Sequence, residues 1–191
     1  MAAPAERLFA PRIDTLRVPP HSIDAEQAVL GGLMLDERAW ERIADKLNEE
    51  DFYRKDHRLI YRALTELSEK NMPCDAVTLG EWFESNKLAE LVGGAAYIMQ
   101  LANSTPSAAN IVAYADIVRE KSILRQLIDA GTQITGDGFQ PEGRSTQEIL
   151  EGAEQKVFRI AESGARGRKN FVPMRAEIGR ASCRERVLVA V

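Results

Sequence analysis

Apolar residues recur at three- and four-residue steps through most of this chain, the period of helices packed by one face. Ala25, Ala28, Val29, Gly32 and Leu33 form the first such stripe, behind Ser22 or Asp24, either of which can cap a helix start. Small residues on that stripe would let another backbone approach closely, and core packing is enough to explain them. A second helix is predicted behind Asp36, with Trp40, Ile43, Ala44 and Leu47 inward, followed by a short hydrophobic connector at Asp51-Phe52-Tyr53. A third begins near Asp56, turns Ile60, Ala63, Leu64 and Leu67 to one side, and breaks at Asn71-Met72-Pro73. Thr78 and Glu81 have capping-box spacing and would open a helix carrying Trp82 and Phe83. Gly93-Gly94 interrupts, and a short helix from Ala95 to about Leu101 precedes a polar loop at 103–107.

Beyond Pro106 the pattern lengthens. From about Ala108 to Thr135 only Gly131 interrupts a run in which Ile111, Tyr114, Ala115, Val118, Leu124, Leu127, Ile128 and Ile134 keep helical spacing. That predicts a helix of about seven turns. The glycines and proline of 136–143 predict a turn, and Ser145 with Glu148 predicts a capping box. Ile149, Leu150, Ala153, Val157, Ile160 and Ala161 then line a final helix. Two long helices joined by a turn make an αα-hairpin.

The expected fold is therefore all-α, a small helical globular head followed by a long antiparallel helical hairpin, with no sheet. Residues 1–20 read as an arm rich in Ala, Pro and Arg, 21–102 as the head, 103–163 as the hairpin of the same domain, and 164–176 as the start of a basic linker. One antiparallel seam uses about two positions per heptad, and these helices carry more. The expected consequence is a subunit interface, formed with a second copy through Ile111, Tyr114, Val118, Leu124, Ile128, Ile149, Val157 and Ile160. The alternative is that these side chains only hold the hairpin's own helices together.

The last stretch is of another kind. Ile178 to Val187 is spelled codon for codon by a common short-read sequencing adapter read from its third base. Residues 177–191 are accordingly expected to be a non-native tail, set aside before fold reasoning. Without 178–191 the net charge of −4 becomes −6. An acidic body argues against a nucleic-acid-binding module, which needs a basic footprint to neutralise phosphates. The basic cluster at Arg166, Arg168, Lys169 and Arg175 reads as a solvated linker. Two cysteines, Cys74 and the tail's Cys183, make no disulfide framework. With no basic, apolar leader and no run of about 20 apolar residues, the expected location is cytoplasmic.

Catalytic chemistry finds no support in the residues. No glycine is followed by lysine, so a G-x-x-x-x-G-K-[ST] phosphate loop is absent. Gly136-x-Gly138 lacks the third glycine and the strand of a dinucleotide site. His21 and His57 have no partners at zinc spacing, and His57, between Asp56 and Arg58, reads as a surface or capping residue. Neither catalytic, cofactor-binding nor metal-binding residues are assigned.

Six stretches, taken together and in order, resemble the N-terminal region of the bacterial replicative DNA helicase family, DnaB. They are Pro19 to Leu35, Asp51-Phe-Tyr53 with His57 to Tyr61, Asp75 to Leu79, Gly93 to Tyr97, Pro106 to Asn110 and Tyr114 to Lys121. Phe171 to Arg175 resembles the start of the family's linker, and the resemblance stops at Glu177. It implies a helical head and hairpin that pairs subunits, three pairs building the collar of a hexameric ring. It further implies docking of the primase DnaG and passage of single-stranded DNA through the parent's ring, and it leaves contact with a helicase loader open. The parent would be an ATP- and magnesium-dependent 5′–3′ helicase whose ATPase domain is missing here, so this fragment would be no enzyme. A stand-alone helical adaptor without a motor is the rival reading.

Overall fold

The computed structural model describes residues 18–105 and 107–164. The expected arm (all but its last residues), most of the linker and the non-native tail lie outside these. Among the described residues there are seven α-helices, two short 3-10 turns and no strand. The helices are α1 (Ile23–Leu35), α2 (Arg38–Ile43), α3 (Lys55–Glu69), α4 (Ala76–Ser85), α5 (Gly94–Ser104), α6 (Ile111–Phe139) and α7 (Thr146–Gly164). The 3-10 turns are Glu49–Asp51, before α3, and Ala89–Val92, before α5. The all-α expectation holds. None of these helices is long and apolar enough to cross a membrane.

The head is built around α1, whose Val29, Leu30 and Leu33 are fully or almost fully buried. Ile60, Ala63, Leu64 and Leu67 of α3, Leu79 and Phe83 of α4, and Ile98 and Leu101 of α5 complete one core. Glycine lets α1 and α5 touch backbone to backbone. A Cβ added at Gly31 would lie 2.6 Å from the Leu101 carbonyl oxygen and 2.0 Å from Thr105 Oγ1.

Local chemistry sets the helix ends, not always where the spacing of caps suggests. Ser22 caps α1, its Oγ accepting from Ala25 N at 3.4 Å. α4 starts earlier than a Thr78–Glu81 box would allow. Asp75 caps it, accepting from Val77 N at 2.8 Å and Thr78 N at 2.9 Å. The predicted second helix is also shorter: α2 stops at Ile43, which leaves Ala44 exposed. At Ser145 the box forms as expected, with Ser145 N donating to Glu148 Oε2 at 2.6 Å and Glu148 N to Ser145 Oγ at 3.3 Å. Gly93, at φ 79°, ends the second 3-10 turn and opens α5 in a left-handed conformation that suits glycine.

Two further expectations are corrected. Gly136 and Gly138 do not turn the chain, because α6 runs through both to Phe139. The Gly136 carbonyl still accepts from Gln140 N at 2.9 Å. Nor does His57 lie at the surface. It is fully buried, its Nδ1 2.7 Å from Glu26 Oε2 and its Nε2 2.8 Å from the Tyr97 hydroxyl. Glu26 also accepts from Tyr53 N at 2.7 Å, so one carboxylate ties α1 to the start of α3. Residues 31 and 40 positions away supply what no local pattern could announce.

Candidate subunit interface on the helical hairpin

The first turns of α6 belong to the head. Ile111, Ala115 and Val118 enter its core beside α1, and Tyr114 packs against it half-buried. Arg42 of α2 donates to the Ala109 carbonyl at 2.9 Å, and Lys46 pairs with Asp116 at 2.8 Å. The head–hairpin division expected near 103 therefore cuts through a single packed unit.

A buried polar joint then sets the direction in which α6 leaves the head. Asp51, at the end of the first 3-10 turn, accepts from Arg119 Nη1 at 2.6 Å and Ser122 Oγ at 2.7 Å. Arg119 also donates to the Ser163 carbonyl at the end of α7. Arg125 donates to the carbonyls of Pro20 at 2.8 Å and Asp51 at 2.6 Å. Burial holds its guanidinium below the ordinary arginine value. A helix held by such directional bonds over two turns has little freedom to swing.

Past that joint, α6 and α7 lie against each other. Ile123, Ala130 and Ile134 of α6 and Ile149, Ala153 and Ile160 of α7 are the buried or half-buried apolar positions of the pair. At the tip, Asp137 accepts from Lys156 at 2.6 Å and Arg144 at 2.8 Å, fastening α6, the turn and α7 together. These two bonds hold its carboxyl below the ordinary aspartate value.

A second apolar stripe remains on the outside. Ile117, Leu124 and Ile128 recur at helical spacing along α6, and Phe139 continues the line at its end. Leu150 and Val157 make the matching line on α7, with Phe158 beside it. Ile128 is 52% exposed, Val157 50% and Phe158 62%. Single exposed apolar side chains need no explanation, but a line of them along both helices marks an interaction surface.

The expected interface residues thus divide three ways. Leu124, Ile128 and Val157 lie on the outer face. Ile149 and Ile160 lie half-buried at the seam between α6 and α7. Ile111 and Val118 are 0% and 2% exposed, and with Tyr114 they belong to the head. Ile111 and Val118 are corrected out of the surface, because their area is already used within one subunit, while Tyr114 keeps a half-exposed ring at its edge. Ile117, Phe139 and Phe158 were not among the expected residues. The turn expected over 136–143 hides Phe139, which the structure places at the end of α6.

The described residues hold no cluster of His, Cys, Asp and Glu able to bind a metal. The sequence carries no phosphate loop, and among the described residues no such group of side chains fits a magnesium–nucleotide site. The head and the hairpin joined to it form one helical unit with an apolar outer face.

Comparison with known proteins makes this specific. The family model described as "DnaB-like helicase N terminal domain" matches residues 18–120, and the chain belongs to that family. The replicative DNA helicase DnaB of Haemophilus influenzae is 48% identical over 145 residues, which is 76% of this chain and 31% of that protein. DnaB of Buchnera aphidicola subsp. Baizongia pistaciae is 42% identical over 158 residues, 83% of this chain and 34% of the relative. The chain thus spans about a third of the curated relatives it matches, and the part spanned does not include their ATPase domain. The crystal structure of the N-terminal domain of DnaB helicase from Mycobacterium tuberculosis is similar with a TM-score of 0.72 and 36% identity, covering 74% of this chain and 99% of that one. A DnaB-like replicative helicase, solved to show its interactions with primase, shares the fold at a TM-score of 0.59 and 22% identity. It covers 81% of this chain and 34% of that one.

Proposed function

We propose that this chain is the collar domain of a replicative DNA helicase, pairing subunits through the outer face of its hairpin and so supporting assembly of a hexameric ring. The carrying observation is the unpartnered apolar line Leu124–Ile128–Phe139 with Leu150–Val157–Phe158, on a hairpin whose inner seam is already closed. The parent is an ATP- and magnesium-dependent 5′–3′ helicase of the cytoplasm, drawing single-stranded DNA through its ring by an ATPase domain that this chain does not contain. The collar also receives primase, DnaG, and a helicase loader is a further partner. Support for the primase role comes from the fold shared with a helicase described with its interactions with primase. Family membership favours this reading over a free-standing adaptor.

The test is the oligomeric state of the purified chain by analytical ultracentrifugation. A dimer is expected at tens of micromolar, with Ile128→Asp or Val157→Asp giving a folded monomer. A wild-type chain that stays monomeric at that concentration refutes the pairing face.

A further inference from the structure

The last turn of α6, Gly136 to Phe139, is helical against its own local chemistry. Gly136 and Gly138 are the poorest helix formers short of proline. Asp137 sets a carboxylate at the negative end of the helix dipole, where a cation is favoured. No basic side chain stands in that turn to offset it.

The folded geometry does not call for these glycines. A Cβ added at Gly136 or Gly138 would meet no atom within 4 Å, so no neighbouring backbone comes close. Both are helical, and neither has the positive φ that favours glycine. What glycine does supply is conformational freedom to the chain once the turn has opened.

The turn is held from outside itself. Asp137 accepts from Arg144 Nη2 at 2.8 Å, in the connection to α7, and from Lys156 Nζ at 2.6 Å, on α7. It is the one residue of the turn that is not exposed. Phe139 is 83% exposed, so apolar packing adds little. A turn with few buried contacts opens locally at low cost.

We infer that this turn is a hinged tip and that Asp137 is its catch. Closed on Lys156 and Arg144, residues 136–139 are helical and keep Phe139 in the outer line of α6. Released, they unwind and Phe139 leaves that line. Because Lys156 belongs to α7, the catch closes only when the two helices lie in register. The link to pairing rests on the function proposed above for the outer face; the opening itself does not.

The test is hydrogen exchange by mass spectrometry on the full 191-residue chain carrying Ile128→Asp, which reads a single subunit. Protection over 136–140, corrected for intrinsic rates, is the readout. Gly136→Ala/Gly138→Ala should raise it roughly tenfold. Arg144→Gln/Lys156→Gln should lower it roughly fivefold. Adding Asp137→Asn to that pair should recover part of the loss, because the carboxylate left alone at the helix end is gone. A hairpin that had merely loosened would not recover. Protection over 115–122, where α6 lies against the head, should stay constant and shows that each variant is folded. Unchanged protection in the alanine variant or in the 144/156 variant overturns the proposal, and so does absence of recovery with Asp137→Asn. In the chain without Ile128→Asp, pairing should raise protection of the tip as concentration rises, since it draws on the closed form. Equal tip protection in the paired chain and the monomer overturns the link to pairing. A chain that never pairs refutes the pairing face alone, and the monomer's exchange still decides the catch.

Discussion

Replacing Gly31 by alanine separates close helix packing from helix propensity. Within a helix, Gly→Ala is favourable by about 0.8–1 kcal/mol when the new methyl meets nothing. Gly80 in α4 is such a site, with no atom within 4 Å of an added Cβ. At Gly31 the methyl would sit 2.0 Å from Thr105 Oγ1, 2.8 Å from Thr105 Cβ and 2.6 Å from the Leu101 carbonyl oxygen. Rotating the Thr105 hydroxyl would relieve only the first contact, at the cost of its 3.2 Å bond to that carbonyl. The others involve the α5 backbone and a buried side chain, so α1 and α5 must separate. Overpacking of this kind costs about 1–3 kcal/mol, occasionally more, and outweighs the propensity gain. The propensity gain is common to both changes, so the two variants should differ by the overpacking cost, about 1–3 kcal/mol, Gly80→Ala above wild type and Gly31→Ala below it. Urea denaturation followed by circular dichroism measures both. Thr105→Ala in the Gly31→Ala background should recover part of the loss and not all, because the Leu101 carbonyl stays. A Gly31→Ala chain as stable as Gly80→Ala would refute the close approach of α1 and α5.

Arg119→Ala strands Asp51 in the buried joint and should cost about 3–5 kcal/mol. Asp51→Ala/Arg119→Ala should cost clearly less than the sum of the single changes, and additive urea midpoints would mean the pair is uncoupled. Asp137 has its carboxyl held below the ordinary value of 3.8 by Lys156 and Arg144. A carboxylate shifted down stabilises the fold above its unfolded value and loses that contribution as pH falls through its folded value. The advantage of wild type over Asp137→Asn should therefore be full at about pH 6 and shrink below about pH 4. An advantage that grows on acidification would reverse the sign and refute the clamp. Asp75→Ala should cost about 1 kcal/mol through loss of the α4 cap, whereas Glu81→Ala should stay within about 0.5 kcal/mol. Equal losses would restore the cap position suggested by spacing.

The order of elements was legible in the residues because helical periodicity is a local property. Ile60, Ala63, Leu64 and Leu67 mark a buried face from spacing alone, and all four are in the core. Ser145 and Glu148 could be paired for the same reason, since both cap partners lie within one turn. The head-then-hairpin succession follows from where such stripes start, stop and lengthen.

Only tertiary structure decided which surface covers each stripe. The apolar positions of α6 form one continuous periodic series in sequence, yet Ile111 and Val118 close the head while Leu124 and Ile128 face outward. Periodicity places a side chain on a helix face; what lies opposite depends on segments far along the chain. His57 is buried because Glu26 and Tyr97 offer it hydrogen bonds, and Asp51 because Arg119 and Ser122 do. Such satisfaction of buried polar groups leaves no mark at the residue itself. Gly136 and Gly138 carry a local preference against helix of about 1 kcal/mol each. α6 runs through them all the same, with Asp137 between them anchored to Lys156 and Arg144. Local chemistry, then, determined the helices and their caps in outline. Contacts between distant segments decided burial, the joint between head and hairpin, and the apolar face left open.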